Sequence, residues 1–255
     1  MFDPRHPSLH GRLERGETIG AVWLSLGSAA ICELAARARP DAIVLDMQHG
    51  LWERLAVEAA IGATPSEVPV LVRVAENAPR AIGEALDAGA EGVIVPLIET
   101  AAAARAAVSA AHYPPRGARS GGGVRPLADF ASYVEGARVG TVVAVMIETA
   151  RGVENARAIA SVEGVDLVFI GTGDLALSLG IFPQFDARHD AACEAVRDAC
   201  LAEARPCGIF TSGVEAAKAR REQGYRMVVT VNDIELAALG FREGAEAFNE
   251  KDQLT

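Results

Sequence analysis

The sequence predicts a single α/β domain folded as a (β/α)8 TIM barrel, and three observations carry that expectation. Eight short apolar runs recur along the 255 residues, most of them continuous rather than alternating, as parallel strands covered on both faces require. A helix-forming, often Ala-rich stretch follows each run, which is the βα alternation of a parallel architecture. Eight such units in about 250 residues match the usual size of the barrel. An open doubly wound sheet would be marked by GxGxxG after its first strand, and the turn there reads LGSAA.

The elements follow in order. AVWLSL (21–26) is the first strand, and Ser28 opens the helix behind it. AIVLDM (42–47) is the second. After the third, VPVLVRV (68–74), a helix is framed by Asn77 as cap, Pro79 in the first turn and Gly89 at the close. GVIVPLI (92–98) leads into TAAAARAAVSAAH (100–112), a strong helix former capped by Thr100. SGGGVRP (120–126) sits inside the fourth connection and reads as a loop, not a domain linker. TVVAVMIE (141–148), DLVFIG (166–171), CGIFT (207–211) with Ser212 opening its helix, and MVVTV (227–231) complete the eight. One domain, 1–255, is expected, with 1–16 as an N-terminal extension and 241–255 as a C-terminal tail.

Composition excludes several classes. A formal net charge of −10 argues against nucleic acid, whose phosphates need clustered Lys and Arg. It also means that an anionic substrate must be met by a few placed arginines or by a metal. The first sixteen residues lack the apolar stretch of a secretion signal, and no run approaches the roughly 20 apolar residues that span a bilayer. A cytoplasmic protein without membrane contact is the expectation. Cys32, Cys193, Cys200 and Cys207 form no CxxC pair, and the seven-residue step from Cys193 to Cys200 puts both on one helical face. They are expected as packing residues.

In such a barrel chemistry is done at the C-terminal ends of the strands. Those ends carry Trp23, then Asp46 and His49, then Arg73, then Glu148, then Asp174 just beyond the sixth strand. Each has a plainer reading: His49 as a surface or capping residue, Arg73 as a carboxylate's partner, Glu148 as a cap with Thr149, Asp174 as a helix N-cap. Their convergence on one mouth favours a site. Glu148 and Asp174 end neighbouring strands, and two carboxylates without cysteine or histidine suit a hard divalent cation such as Mg2+ or Mn2+. A carboxylate acid/base pair is the alternative. Asp46 beside His49 suits a carboxylate that fixes an imidazole for base catalysis, and Arg73 suits a developing oxyanion.

With those residues in place, the chain resembles the HpcH/HpaI aldolase family, the metal-dependent class II pyruvate aldolases. The stretches that carry the resemblance run from about Gly20 to Gly240: AVWLSLGSAAICELAA, VLDMQHG, VPVLVRV, LDAGAEGVIVPLIET, HYPPRGAR, MIETARGVENARAIASVEGVDLVFIGTGDLALSLG and VNDIELAALG. The resemblance implies reversible cleavage of a 4-hydroxy-2-oxo acid to pyruvate, or a related 2-oxo acid, and an aldehyde through a metal-held enolate. It implies that Glu148 and Asp174 hold the metal, Mg2+ or Mn2+ first and Co2+ or Zn2+ as alternatives. His49, supported by Asp46, would be the base, Arg73 would steady the enolate, and the amides of Gly173 and Asp174 would receive the substrate carboxylate. Trp23 is placed with the substrate-binding residues. Asp87, near the end of the helix after strand three, is either an exposed helix-terminal carboxylate or, as the resemblance implies, a residue reaching a neighbouring subunit's site. A homo-oligomer, a hexamer by the same resemblance, is expected, with the last helix packed across a subunit boundary.

The chain departs from the family pattern in three places. Met146 stands two residues before Glu148 where a glutamine is usual, GTGDLA replaces GPADLS, and GARSGGGVRP replaces the usual continuation after YPP. The last change bears on the aldehyde side, where Arg119 is the candidate for a second anionic group and Arg125 a weaker one. Two other readings stand beside the aldolase: an acyl-CoA ester lyase of the malyl- or citryl-CoA type, and a non-catalytic 2-oxo-acid-binding protein.

Overall fold

A computed structural model describes residues 8–249. Its eight strands are Ile19–Leu24 (β1), Ala42–Asp46 (β2), Val70–Arg73 (β3), Gly92–Val95 (β4), Val142–Ile147 (β5), Leu167–Ile170 (β6), Cys207–Ile209 (β7) and Met227–Asn232 (β8). Each pairs in parallel with its sequence neighbours, and β8 closes on β1. The (β/α)8 expectation is met. Most strands are shorter than the apolar runs that announced them, because those runs continue into the loops at the mouth.

The continuous apolar runs follow from burial on both faces. One set of side chains, including Val44, Leu71, Ile94, Met146, Phe169 and Met227, fills the barrel interior. The alternate set, including Ile43, Leu45, Val72, Val93, Val145 and Val168, packs outward against the helices. Each fully buried Leu, Ile or Phe contributes about 1.5–3 kcal/mol relative to exposure.

Of the four helix caps expected from the sequence, two hold and two do not. Ser28 and Thr100 accept from the amides of Ile31 and Ala103 as N-caps, as expected. Asn77 does not cap: Ala78 holds that position, Pro79 follows, and the Asn77 amide donates to the Ala103 carbonyl at 3.0 Å. Nor does Ser212, because Gly213 at φ +84° stands at the N-cap of Val214–Glu222. All four cysteines are free and buried.

The two ends hold more structure than the sequence suggests. Residues 1–7 and 250–255 lie outside the described residues, but the described part of the expected extension is no appendage. Leu9–Glu14 is a short helix capped by Ser8, and its Leu9 and Leu13 are buried in the barrel interior. The Leu9 amide donates to Glu91 Oε1, and Arg12 pairs with Asp41 at 2.6 Å. This helix plugs the end of the barrel opposite the mouth. The expected tail is likewise continuous with a helix, Asp233–Asn249, up to the last described residue. Among the described residues no helix is long and apolar enough to cross a membrane.

Candidate active site

Strand register assembles the mouth. Asp46 and Arg73 end β2 and β3 as direct cross-strand partners. The Arg73 fork grips the Asp46 carboxylate twice, Nε to Oδ1 at 2.8 Å and Nη2 to Oδ2 at 2.5 Å. Trp23 is buried beneath them. Its indole N–H donates to Asp46 Oδ2 at 3.4 Å, and its ring lies 5.0 Å from the Arg73 guanidinium carbon. Trp23 therefore supports the pair instead of lining the mouth. Burial would raise the Asp46 carboxyl, but the Arg73 guanidinium and the backbone amides of His49 and Gln48 hold it below its ordinary value.

Those two amides close a tight turn on Asp46 Oδ1, at 3.0 Å from Gln48 and 3.3 Å from His49. This changes one expected pairing. Asp46 meets His49 at the backbone, not at the ring, because its carboxylate is already committed to Arg73. The His49 imidazole turns the other way, with Nε2 3.8 Å from Asp174 Oδ2, and its side chain is 61% exposed. Gly50 permits the turn, since a Cβ there would collide with the Asp46 carbonyl.

Glu148 follows β5 and is buried at the mouth. Its Oε1 accepts from the Leu97 amide at 2.7 Å, while its Oε2 is buried without a hydrogen-bond partner. Desolvation pushes its carboxyl up to about 7; the Leu97 amide and Arg73 oppose this, and the charge of Asp174 adds to it. Thr149, not Glu148, caps the helix Ala150–Glu154. Asp174 lies in the first turn of the helix Thr172–Ser178, whose N-cap is Gly171, so its carboxylate is free of the capping role. Gly171 is required: a Cβ would strike Glu148 Oε2 and approach Met146 Sδ.

His49, Arg73, Glu148, Gly173 and Asp174 share one cavity of about 270 Å3. Thr172, Leu177, Phe182 and Phe210, which sequence reading passed over, line it as well. Their signal was available only in position, just beyond β6 and β7. Met146 occupies the place of the expected glutamine and offers a thioether, 3.9 Å from Arg73 Nη1.

Three predicted residues stand apart. Asp87 ends the helix Pro79–Asp87 and accepts from Arg119 Nη2 at 2.7 Å, outside this cavity. The Arg119 side chain is 1% exposed and packs against the rings of Tyr113 and Tyr133, so in its own subunit it cannot meet a substrate anion. Arg125 covers Gly62 and Gly89 and donates to the Glu58 carbonyl, also away from the mouth.

Over residues 20–238 the sequence matches the HpcH/HpaI aldolase/citrate lyase family. The chain belongs to that family. It is 36% identical over 234 residues to the hydroxypyruvate/pyruvate aldolase of Rhizorhabdus wittichii, covering 88% of this chain and 91% of that one. The 4-hydroxy-2-oxovalerate aldolase of Novosphingobium aromaticivorans is 31% identical over 250 residues, covering 96% and 95%. A crystal structure of a family member from Burkholderia cenocepacia superposes with a TM-score of 0.89 at 32% identity, over 94% of this chain and 98% of that one. The protein is thus an aldolase-type carbon–carbon lyase on the barrel frame its sequence announced.

Proposed function

We propose that the protein is a divalent-metal-dependent aldolase that reversibly cleaves a 4-hydroxy-2-oxo acid to pyruvate, or a related 2-oxo acid, and an aldehyde. The observation that carries the reading is the buried, unpartnered Oε2 of Glu148 beside the carboxylate of Asp174. A buried carboxylate oxygen without a donor is unfavourable unless a proton or a cation fills the role. Two oxygen-ligating side chains with open positions fit Mg2+ or Mn2+, with Co2+ or Zn2+ as alternatives. Such an ion, when bound, supplies Lewis acidity at the substrate's keto oxygen.

The chain's own groups account for the rest. The amides of Gly173 and Asp174, in the first helical turn after β6, orient the substrate carboxylate. Arg73, held rigid by Asp46 and Trp23, keeps a fixed positive charge beside the oxygen where negative charge grows. His49 takes the proton of the C4 hydroxyl. The C3–C4 bond then breaks, its electrons stay on the C2–C3 enolate, and the aldehyde leaves. The proton that His49 took then passes through water to C3, giving the 2-oxo acid and restoring the base. The exposed His49 ring stands at the mouth beside Asp174, where a base must stand to reach the substrate hydroxyl. Asp87 lies outside its own mouth, as a residue serving a neighbouring copy's site in a homo-oligomer would.

The test is loss of the pyruvate methyl proton signal in D2O, followed by NMR with Mg2+ or Mn2+ and then with chelator, for the wild type, His49→Ala and Glu148→Ala. Exchange that needs the metal and both residues is expected. Pyruvate that binds without exchange in the wild type would sink the aldolase reading and favour a binding protein, whereas cleavage of a CoA ester would favour the lyase.

A further inference from the structure

Three non-glycine residues among those described have a left-handed backbone: Arg39, Leu97 and Ala204. Arg39 and Ala204 directly follow helix C-caps, at Ala38 and Glu203, where this conformation is ordinary. Leu97, at φ +56°, follows a strand instead. An L side chain resists that geometry, and such residues persist only where their surroundings impose it.

Side-chain packing does not impose it here, because Leu97 is 55% exposed. The backbone on either side does. Pro96 has no N–H to continue the ladder, while the Ile98 amide returns to it by donating to the Met146 carbonyl at 2.9 Å. Between them the left-handed turn swings a single amide inward, from Leu97 to Glu148 Oε1 at 2.7 Å. On the other side Gly171 presents bare backbone against Oε2. The carboxylate is therefore divided into one anchored oxygen and one buried oxygen without a partner.

We infer that Leu97 is a positioning residue: its left-handed backbone fixes the Glu148 carboxylate so that Oε2 faces the cation site. The inference rests on the metal reading above but concerns a different residue, and it turns on the backbone, not on the leucine side chain. Residues that hold metal ligands in this way typically change affinity by about 10–100-fold when lost.

The test is calorimetric titration of chelator-treated protein with Mn2+, with the metal-free melting temperature recorded for each variant. Leu97→Gly keeps the N–H and favours the turn, so it should bind Mn2+ within about threefold of the wild type. Leu97→Ile keeps the N–H and the apolar bulk but strongly disfavours left-handed backbone, so it should bind at least about tenfold more weakly. Leu97→Thr repeats that arm with a polar β-branched side chain suited to an exposed position, in case the isoleucine variant is poorly soluble. Folded isoleucine or threonine variants that bind as tightly as the wild type overturn the inference, as does equal loss in the glycine variant. A wild type that binds no Mn2+ overturns the metal reading itself, a result distinct from either.

Discussion

Glu148 concentrates the electrostatics of the site in one side chain. Its carboxyl is desolvated and crowded by Asp174, so the neutral form is favoured in the fold and the charged form in the unfolded chain. The sign of the pH dependence follows. A carboxyl raised from its ordinary 4.5 to about 7 contributes stability that is fully present below 4.5 and is lost as pH rises toward 7. Metal-free protein at pH 8 therefore carries a penalty on the order of 3 kcal/mol from this residue alone. Glu148→Gln removes that charge at nearly constant shape. The variant should melt at a higher temperature than the wild type in chelator at pH 8, lose most of that advantage at pH 4.5, and bind Mn2+ far more weakly. Equal melting temperatures at pH 8 would show that the carboxylate is better solvated than its burial indicates. Asp46 is the contrasting case: equally buried, it is held ionised because two N–H groups of Arg73 and two backbone amides converge on it.

At the level of elements, the strands were legible because burial on both faces leaves a pattern that does not depend on distant residues. Pairings at the strand ends were not. Asp46 and His49 are near in sequence, which suggested a carboxylate–imidazole couple, yet the parallel register sets Asp46 beside Arg73, 27 positions away. A register argument from the two strand-terminal residues could have found that pair. The mouth itself was read from the strand ends, but the amide of Leu97 was invisible, since a left-handed leucine has no sequence signature. The N-terminal plug was missed for a different reason: six helical residues are too few to display a period. Its importance is open to measurement. Leu9 is fully buried in the barrel interior, its amide bonded to a Glu91 carboxyl that burial holds above its ordinary value. Leu9→Ala should cost about 2–5 kcal/mol in urea denaturation, as expected for a core leucine. A cost below about 0.5 kcal/mol, ordinary for surface positions, would mean that the helix merely rests on the barrel.

At the scale of the whole molecule, one apolar stripe among the described residues is exposed. The helix Asp233–Asn249 buries only Asp233, whose carboxylate accepts from the amides of Ser25 and Leu26 and so ties the helix start to the end of β1. Beyond that tether Ile234, Phe241 and Phe248 recur every seven residues, which places them on one stripe, and the two phenylalanines are 79% and 82% exposed. Aligned exposed phenylalanines are the kind of apolar surface that a partner can cover. A second copy is the partner that fits the homo-oligomer proposed above, because a repeated apolar stripe can meet its own symmetry mate. Replacing Phe241 and Phe248 together with glutamate should leave the barrel intact, since neither side chain packs into it. The double variant should sediment as a smaller species than the wild type while keeping its far-ultraviolet circular dichroism. If Asp87 serves a neighbouring mouth, the dissociated variant should also lose aldol turnover while still binding Mn2+ at Glu148 and Asp174. An unchanged sedimentation coefficient would remove this helix from the assembly and leave its exposed stripe without that explanation.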